Sequence, residues 1–274
     1  GLWCRVKKDA GDDPDVTTGL LIYAGVSRTE DTGVRIDGGA GVGRVTKKGL
    51  QQPVGEAAIN DTPRRMIREA VEEICRKYRY SQGIRVVISV PGGEKAEKTF
   101  NPRLGIQGGI SILGTSGIVV PMSEAALIES IRVEMRMLHA NGGEYLVITP
   151  GNYGEVFSQE QKNVRLDYAM KCSNYVGETL DFARELGVKG ILFIAHIGKF
   201  IKVSGGIMNT HSRHADSRAE LMAAQAIRAG ASLEIARKIL DTITTEEALD
   251  ILYGEGLTEA FMEAVESQSD YDLI

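Results

Sequence analysis

The chain has 274 residues, of which 43% are hydrophobic and 25% charged, and its formal net charge is −5. This length favours two domains with a substantial core, and the acidic balance argues against a nucleic-acid-binding protein. No apolar run reaches membrane-spanning length and no stretch looks like a signal peptide, so we expect no membrane contact. Three well-separated cysteines fit reduced thiols rather than a disulfide framework and indicate a cytoplasmic protein.

The first half of the sequence predicts short strands around one long helix. Residues 32–46 look like a glycine-tipped hairpin, and Asp61 with Pro63 marks a helix start. The strand-like stretches are residues 3–8, 20–26 and 84–90. The predicted helix has one apolar face, made of Met66, Ile67, Ala70, Val71, Ile74 and Tyr78.

The second half alternates between strands and helices. The predicted strands are residues 118–120, 144–149 and 190–195, and the predicted helices are residues 123–140 and 174–186. Such alternation indicates βαβ units and a largely parallel sheet. From residue 216 onward the chain reads as helical, and Thr244 with Glu247 has capping-box spacing. The apolar residues of this tail fit either a core or a dimer face, so a homo-oligomer is compatible with the sequence: Ile235, Ile239, Leu249, Leu252 and Phe261.

These elements predict an α/β protein that is α+β as a whole. An N-terminal α+β domain (residues 1–115) carries glycine-rich hairpins and the long helix. A Rossmann-like α/β domain with a helical tail follows (residues 116–274). The boundary lies near residues 114–117, within the glycine-dense segment 99–123, which contains no acidic residue. Because glycine is favoured where the backbone passes close to a neighbour or takes positive φ, we predict a binding loop there.

Two strand ends in the second domain are candidate ligand contacts. Ligands of open α/β sheets bind outside the carboxyl ends of the strands. Residues 149–154 and 195–199 follow two such strands, and together they predict a crevice for a nucleoside. Without further information, ordinary strand-exit turns are the simpler interpretation. His196, which follows the second strand, is on its own more often a structural histidine than a catalyst.

Other patterns are weaker. Residues 38–43 fail the dinucleotide fingerprint because Arg44 replaces its last glycine, which disfavours a nicotinamide-dependent oxidoreductase. His211, His214 and Asp216 form no full metal motif, so we predict no protein-bound metal. Two charged clusters are either solvated faces or functional groups: the aspartates of residues 8–15, and Arg64, Arg65 and Arg68.

Seven motifs in one order resemble a known family, the cobalt-precorrin-5B C1-methyltransferases of anaerobic cobalamin biosynthesis. The resemblance covers residues 5–221, and its motifs are residues 8–17, 53–60, 90–93, 99–123, 149–154, 173–180 and 196–213. It implies methyl transfer from S-adenosylmethionine to C-1 of cobalt-precorrin-5B, giving cobalt-precorrin-6A. Cobalt would then be carried by the tetrapyrrole substrate. The resemblance also implies a Thr/Gly/Ala-rich segment before Lys8, which the sequence from Gly1 does not show.

Candidate site residues for this reaction follow from the strand ends, from charge and from position in these motifs. S-adenosylmethionine would lie at Thr149, Gly151, Asn152 and Gly154. The acetate and propionate groups of the substrate need cations and polar groups, for which the candidates are Lys8, Arg103, Lys199, Asn209 and Arg213. The macrocycle can supply the electrons, so that positioning provides much of the rate. If a general base exists, the candidates are His196, His211 and Asp9.

Two positions depart from the family pattern, and one alternative function stays open. Thr18 stands where many members have histidine, and His214 stands where many have an apolar residue. The alternative is a non-catalytic tetrapyrrole carrier of the same pathway, which would keep the cationic cleft but bind no S-adenosylmethionine.

Overall fold

The computed structural model describes residues 1–9, 17–98, 101–113, 124–151 and 166–269. It divides the chain into two compact units, Gly1–Asn141 and Gly142–Ile274. Helices and strands occur together in the described residues, which confirms the α+β class. The domain boundary predicted between residues 115 and 116 lies outside these residues and stays a prediction. None of the helices in the described ranges is long and apolar enough to cross a membrane.

The first unit contains a four-stranded sheet with strand order β1-β2-β5-β3. The unit as a whole has six strands among its described residues: β1 (Leu2–Lys7), β2 (Leu21–Thr29), β3 (Val34–Gly38), β4 (Arg44–Val45), β5 (Gly83–Ser89) and β6 (Ile106–Gln107). β2 pairs antiparallel with both β1 and β5, whereas β3 pairs parallel with β5. β4 and β6 form a separate antiparallel pair. A 3₁₀ helix, Gly93–Lys98, follows β5.

The hairpin predicted over residues 32–46 is wrong, because β3 and β4 belong to different sheets. The intervening glycines carry the chain from one sheet to the other with close backbone packing. Gly41 has a φ of +74°, and a Cβ added there would overlap the carbonyl oxygen of Val90. A Cβ on Gly109 would in turn overlap the carbonyl oxygen of Gly41. At Gly41 and Gly109, therefore, the close neighbour is the chain's own backbone. Of the predicted binding loop, residues 99–100 and 114–123 lie outside the described residues.

Two helices complete the first unit, α1 (Asp61–Lys77) and α2 (Glu124–Ala140). Ile67 and Val71 of α1 pack against the sheet core. The rest of the predicted apolar face is wrong: Met66, Ala70, Ile74 and Tyr78 are exposed. The cap position is Asn60, one residue before the predicted start. Only a narrow stripe of α1 contacts the core, because the two packed residues lie four positions apart on one side of the helix.

The second unit begins with a parallel three-stranded sheet of order β8-β7-β9. Its strands are β7 (Tyr145–Thr149), β8 (Ala169–Lys171) and β9 (Gly190–Phe193). α3 (Val176–Leu186) connects β8 to β9. The predicted parallel sheet is confirmed, and the Rossmann-like designation stays a prediction. The predicted strand 118–120 lies outside the described residues.

The helical tail packs into its own core. It contains α4 (Ile197–Phe200), the 3₁₀ turn Val203–Gly205, α5 (Arg218–Arg228), α6 (Leu233–Leu240), α7 (Thr245–Gly254) and α8 (Thr258–Ser269). Ile239, Leu252 and Phe261 are fully buried there, so they form core rather than a dimer face. The predicted capping box is confirmed: Glu247 N–H donates to Thr244 Oγ1 at 3.2 Å, and Thr244 N–H donates to Glu247 Oε2 at 3.2 Å.

Candidate functional site

A cavity of about 510 Å³ opens beyond the carboxyl ends of β7 and β9. Pro150 and Gly151 contribute the exit of β7, and His196 and Lys199 contribute the region after β9. The wall is completed by Arg218 at the start of α5 and by residues 243–246 at the start of α7. This volume falls within the range of small-molecule pockets, about 300–1,000 Å³. The position is the one that open parallel sheets use for ligands.

Two predicted cofactor residues at the end of β7 differ in position: Thr149 is buried, and Gly151 faces the cavity. Thr149 is 4% exposed, and its carbonyl oxygen accepts the N–H of Cys172 at 3.0 Å. Gly151 lines the cavity, and a Cβ added to it would meet no atom of the described residues within 4 Å. Gly151 therefore leaves room for a ligand beside the backbone. The other two predicted cofactor residues, Asn152 and Gly154, lie outside the described residues.

His196 caps α4 and faces the first turn of α7. Its Nδ1 accepts the N–H of Gly198 at 3.2 Å, and its Nε2 lies 3.9 Å from Oε1 of Glu246. A neutral imidazole carries one proton, so with Nδ1 accepting, the proton is on Nε2. The ring therefore presents a hydrogen-bond donor toward the Glu246 carboxylate. Next to it on the wall, Lys199 donates from Nζ to Asn174 Oδ1 at 3.3 Å.

Three other candidates, Asn209, His211 and Arg213, occupy one turn of the second unit. Asn209 Oδ1 accepts the N–H of His211 at 3.1 Å, and His211 Nδ1 accepts the N–H of Arg213 at 3.1 Å. The His211 and His214 rings meet edge to face with centroids 6.4 Å apart. The turn thus brings the three candidates together, although none of them is among the described residues that line the cavity.

Sequence reasoning missed Lys202, one of the fully buried side chains among the described residues, which is only 1% exposed. Its Nζ donates to the carbonyl oxygens of Ala215 at 2.7 Å and Thr210 at 3.3 Å, and to Ser212 Oγ at 3.5 Å. Burial lowers the pKa of Lys202, and the neighbouring charge of Asp216 opposes that shift. These hydrogen bonds therefore stabilise the position of residues 210–215, which include His211. The sequence offered one indication of this burial, since Lys202 stands between two apolar residues, Ile201 and Val203, which are both buried.

An ion pair joins this segment to the cavity wall. Arg218 donates from Nε to Asp216 Oδ1 at 2.7 Å and from Nη2 to Oδ2 at 2.9 Å. The hydrogen bond from Arg218 lowers the pKa of Asp216 despite partial burial, and Asp216 in turn raises the pKa of Arg218. Glu246 raises the pKa of Arg218 further. Charges therefore alternate in sign from Lys202 through Asp216 and Arg218 to Glu246, a row the sequence did not reveal.

The remaining candidates lie in the first unit. Lys8 donates from Nζ to Thr17 Oγ1, and Asp9 beside it is exposed, with residues 10–16 outside the described part of the chain. Arg103 Nη2 lies 3.2 Å from Oε1 of the buried Glu134. These contacts give each of the two cations a protein partner.

Arg64 belongs to the fold of the first unit. Its guanidinium donates to three backbone carbonyl oxygens, those of Ile59 at 2.8 Å, Ile36 at 3.0 Å and Ala57 at 3.2 Å. Within the described ranges, no group of three or more His, Cys, Asp or Glu side chains is arranged to hold a metal ion.

The second unit is an α/β unit with a parallel sheet, and its charged cavity lies at the carboxyl ends of the strands, where open α/β sheets bind ligands. Comparison with known proteins gives the family. Residues 1–121 match the CbiD family, and residues 209–271 match the CbiD C-terminal domain. The chain belongs to the CbiD family, as its seven motifs predicted.

Curated relatives extend the similarity over most of the chain. It is 55% identical over 258 residues to a protein of Ruminiclostridium cellulolyticum named cobalt-precorrin-5B C(1)-methyltransferase, covering 94% of this chain and 67% of the relative. A protein of the same name from Alkaliphilus metalliredigens is 48% identical over 259 residues, covering 94% and 68%. The chain thus spans about two thirds of the length of these relatives. A crystal structure of a cobalamin biosynthesis protein (cbiD) from Archaeoglobus fulgidus is 27% identical, covers 79% of this chain and 67% of that one, and superposes with a TM-score of 0.37.

Proposed function

We propose that the protein is an enzyme that methylates C-1 of cobalt-precorrin-5B, giving cobalt-precorrin-6A in anaerobic cobalamin biosynthesis. The observation that carries this proposal is the 55% identity to a relative named for this methyl transfer. The methyl donor is S-adenosylmethionine, and cobalt enters as part of the substrate. A cytoplasmic location is supported by the three cysteines, which are all free thiols.

The cavity of the second unit is the proposed donor site. When bound, S-adenosylmethionine supplies an electrophilic methyl group on a positively charged sulfur. Gly151 keeps the β7 exit open, and the wall carries both cations (Lys199 and Arg218) and a carboxylate (Glu246). This mixed set suits a ligand that itself has a carboxylate, an ammonium group and a sulfonium. Thr149, Asn152 and Gly154 complete the proposed donor segment.

The substrate needs cations for its acetate and propionate groups. We propose Lys8, Arg103, Lys199 and Arg213, with Asn209 as a polar contact. Arg213 is exposed, and its backbone is fixed by His211. A guanidinium held on such a turn suits two-pronged binding of a carboxylate.

Transfer breaks the bond between sulfur and the methyl carbon, with its electron pair staying on sulfur, while C-1 supplies the pair for the new carbon–carbon bond. The conjugated macrocycle can provide that pair, so the protein's main task is positioning. In both His196 and His211, Nδ1 accepts a backbone N–H. Each neutral ring therefore offers Nε2–H and suits orienting a ligand better than removing a proton. Asp9 is the proposed base if the tetrapyrrole has to lose a proton.

Calorimetric titration with S-adenosylhomocysteine tests the donor site. We expect micromolar binding by the unmodified chain and its loss in Gly151→Val, because the added side chain starts at the cavity wall, where its Cβ meets no described protein atom within 4 Å. Gly254→Val is the matched control: an added Cβ there also meets nothing within 4 Å. Gly254 lies at the far end of α7, about 13 Å along the helix axis from Thr245.

The outcomes separate the possible functions. Binding lost only in Gly151→Val supports the methyltransferase with its donor at the cavity. Binding kept by both variants refutes the site but keeps the enzyme. Absence of binding to every form favours the tetrapyrrole carrier.

A further inference from the structure

Arg218 is held against the cavity wall by one edge of its guanidinium. Nε and Nη2 both bind the Asp216 carboxylate, at 2.7 and 2.9 Å. The guanidinium is planar, so the opposite edge, which carries Nη1, points away from Asp216. Arg218 also lines the cavity, and its side chain is 40% exposed. One edge of the Arg218 guanidinium is thus fixed by Asp216, and the other edge can still donate. Such an edge binds a carboxylate through a pair of hydrogen bonds.

The charges around Arg218 leave an excess of cation. Asp216 is shared between two cations, since Oδ1 also lies 3.8 Å from Nζ of the buried Lys202. One carboxylate therefore faces two positive groups. Among the described residues that line the cavity, Lys199 and Arg218 are cations and Glu246 is a carboxylate. Among the described residues of this cluster, three cations (Lys199, Lys202 and Arg218) stand beside two carboxylates (Asp216 and Glu246), which favours an anionic group of a ligand at this wall.

We propose that Arg218 is a ligand-binding residue of the cavity that holds a carboxylate through its outer guanidinium edge, with Asp216 and Lys202 as the residues that position it. This inference rests on the proposed function, whose reactants offer two sources of a carboxylate. One is the amino-acid end of the methyl donor, and the other is an acetate or propionate group of the tetrapyrrole. Lys202 belongs to the assignment because it keeps Asp216 in place from the core side.

The test compares Arg218→Met with Arg228→Met. Arg228 ends the same helix, about 15 Å away, and is exposed, so its substitution removes an equal charge outside the cavity. Each protein is titrated with S-adenosylhomocysteine and with 5′-methylthioadenosine, which lacks the amino-acid carboxylate. KM and kcat are then measured with cobalt-precorrin-5B. Thermal unfolding of each variant checks that the fold is kept.

Two results support the assignment and identify the source of the carboxylate. A roughly 10- to 100-fold loss of S-adenosylhomocysteine affinity in Arg218→Met, with unchanged 5′-methylthioadenosine binding, places the donor carboxylate on Arg218. Unchanged S-adenosylhomocysteine binding, with KM for the tetrapyrrole raised by a similar factor and kcat kept, places a substrate carboxylate there.

Other results overturn the assignment. Equal values for the unmodified chain and Arg218→Met, or equal losses in Arg218→Met and Arg228→Met, contradict the inference alone. If the unmodified chain neither binds S-adenosylhomocysteine nor turns over substrate, the proposed function fails and the inference fails with it.

Discussion

Nζ of Lys202 lies 3.8 Å from Oδ1 of Asp216, and this ion pair connects the beginning and the end of the segment between α4 and α5. Lys202 is a buried cation directly after α4, whereas Asp216 is partly exposed two residues before α5. Between them lies the turn of Asn209, His211 and Arg213. Lys202 donates hydrogen bonds to the backbone carbonyl oxygens of Thr210, within this turn, and of Ala215, which follows it. The pair therefore connects the proposed substrate turn to the cavity wall at Arg218.

Replacing Lys202 by methionine should loosen this segment. Lys202→Met keeps most of the side-chain volume but leaves the carbonyl oxygens of Thr210 and Ala215 without their donor. We expect the free energy of unfolding to fall by about 1–3 kcal/mol, measured by urea denaturation. Hydrogen exchange should rise in residues 210–216.

Lys238→Met is the control for Lys202→Met. Lys238 pairs with Glu234 at 3.1 Å on the exposed side of α6, where such a pair contributes at most about 0.5 kcal/mol. Equal unfolding midpoints for the two variants would contradict the role assigned to Lys202.

The stability of the chain should depend on the ionisation of Asp216 in acid. The Arg218 hydrogen bond lowers the pKa of this carboxyl in the folded state. A carboxyl whose folded pKa lies below its unfolded pKa adds stability above the unfolded value, and that stability is lost as pH falls through the folded value. Asp216→Asn should therefore flatten the decline of the urea midpoint between about pH 5 and about pH 2.

Asp250→Asn removes an exposed carboxylate from α7 and serves as the reference for the Asp216 measurement. If Asp216→Asn follows the acid profile of this reference, the ion pair with Arg218 does not contribute to acid stability.

Thiol chemistry should distinguish Cys172 from the other cysteines. Burial raises the pKa of Cys172 to about 12, whereas Cys4 is exposed and Cys75 is half-buried. Because the thiolate is the reactive form, Cys172 should resist Ellman's reagent in the folded protein and react in urea. Cys4→Ser should remove the fast phase and Cys172→Ser should leave it. Fast labelling of Cys172 in the native protein would contradict its burial.

Part of the cavity could be predicted from the sequence because strand exits are local features. Gly151 and His196 follow predicted strands along the chain, and both line the cavity. Arg218 and Glu246 come from helices whose placement depends on the packing of the helical core, which no local pattern encodes. The burial of Lys202 likewise depends on carbonyl groups 8 and 13 residues later in the chain.

The fold shows the same division between local and non-local information. β7, β9 and α3 of the second unit were predicted from the sequence, and the capping box at Thr244 followed from its spacing, whereas the short strand β8 was not predicted. The hairpin over residues 32–46 failed because strand pairing is non-local: β3 pairs with β5, which follows α1 in the chain. The glycine density of residues 99–123 predicted a close approach to a ligand, yet at Gly109 the close neighbour is the backbone of Gly41 in the same chain.

Gly41→Ala should be much more destabilising than Gly33→Ala. Both glycines have positive φ, +74° and +83°, so each substitution carries the left-handed backbone cost of about 1–2 kcal/mol. A Cβ on Gly33 meets nothing within 4 Å, whereas one on Gly41 overlaps the Val90 carbonyl group. We expect a further loss of about 1–3 kcal/mol at Gly41, measured by urea denaturation. Equal losses at the two positions would mean that the backbones of the two loops can separate without cost, and the close packing between them would then contribute nothing to stability.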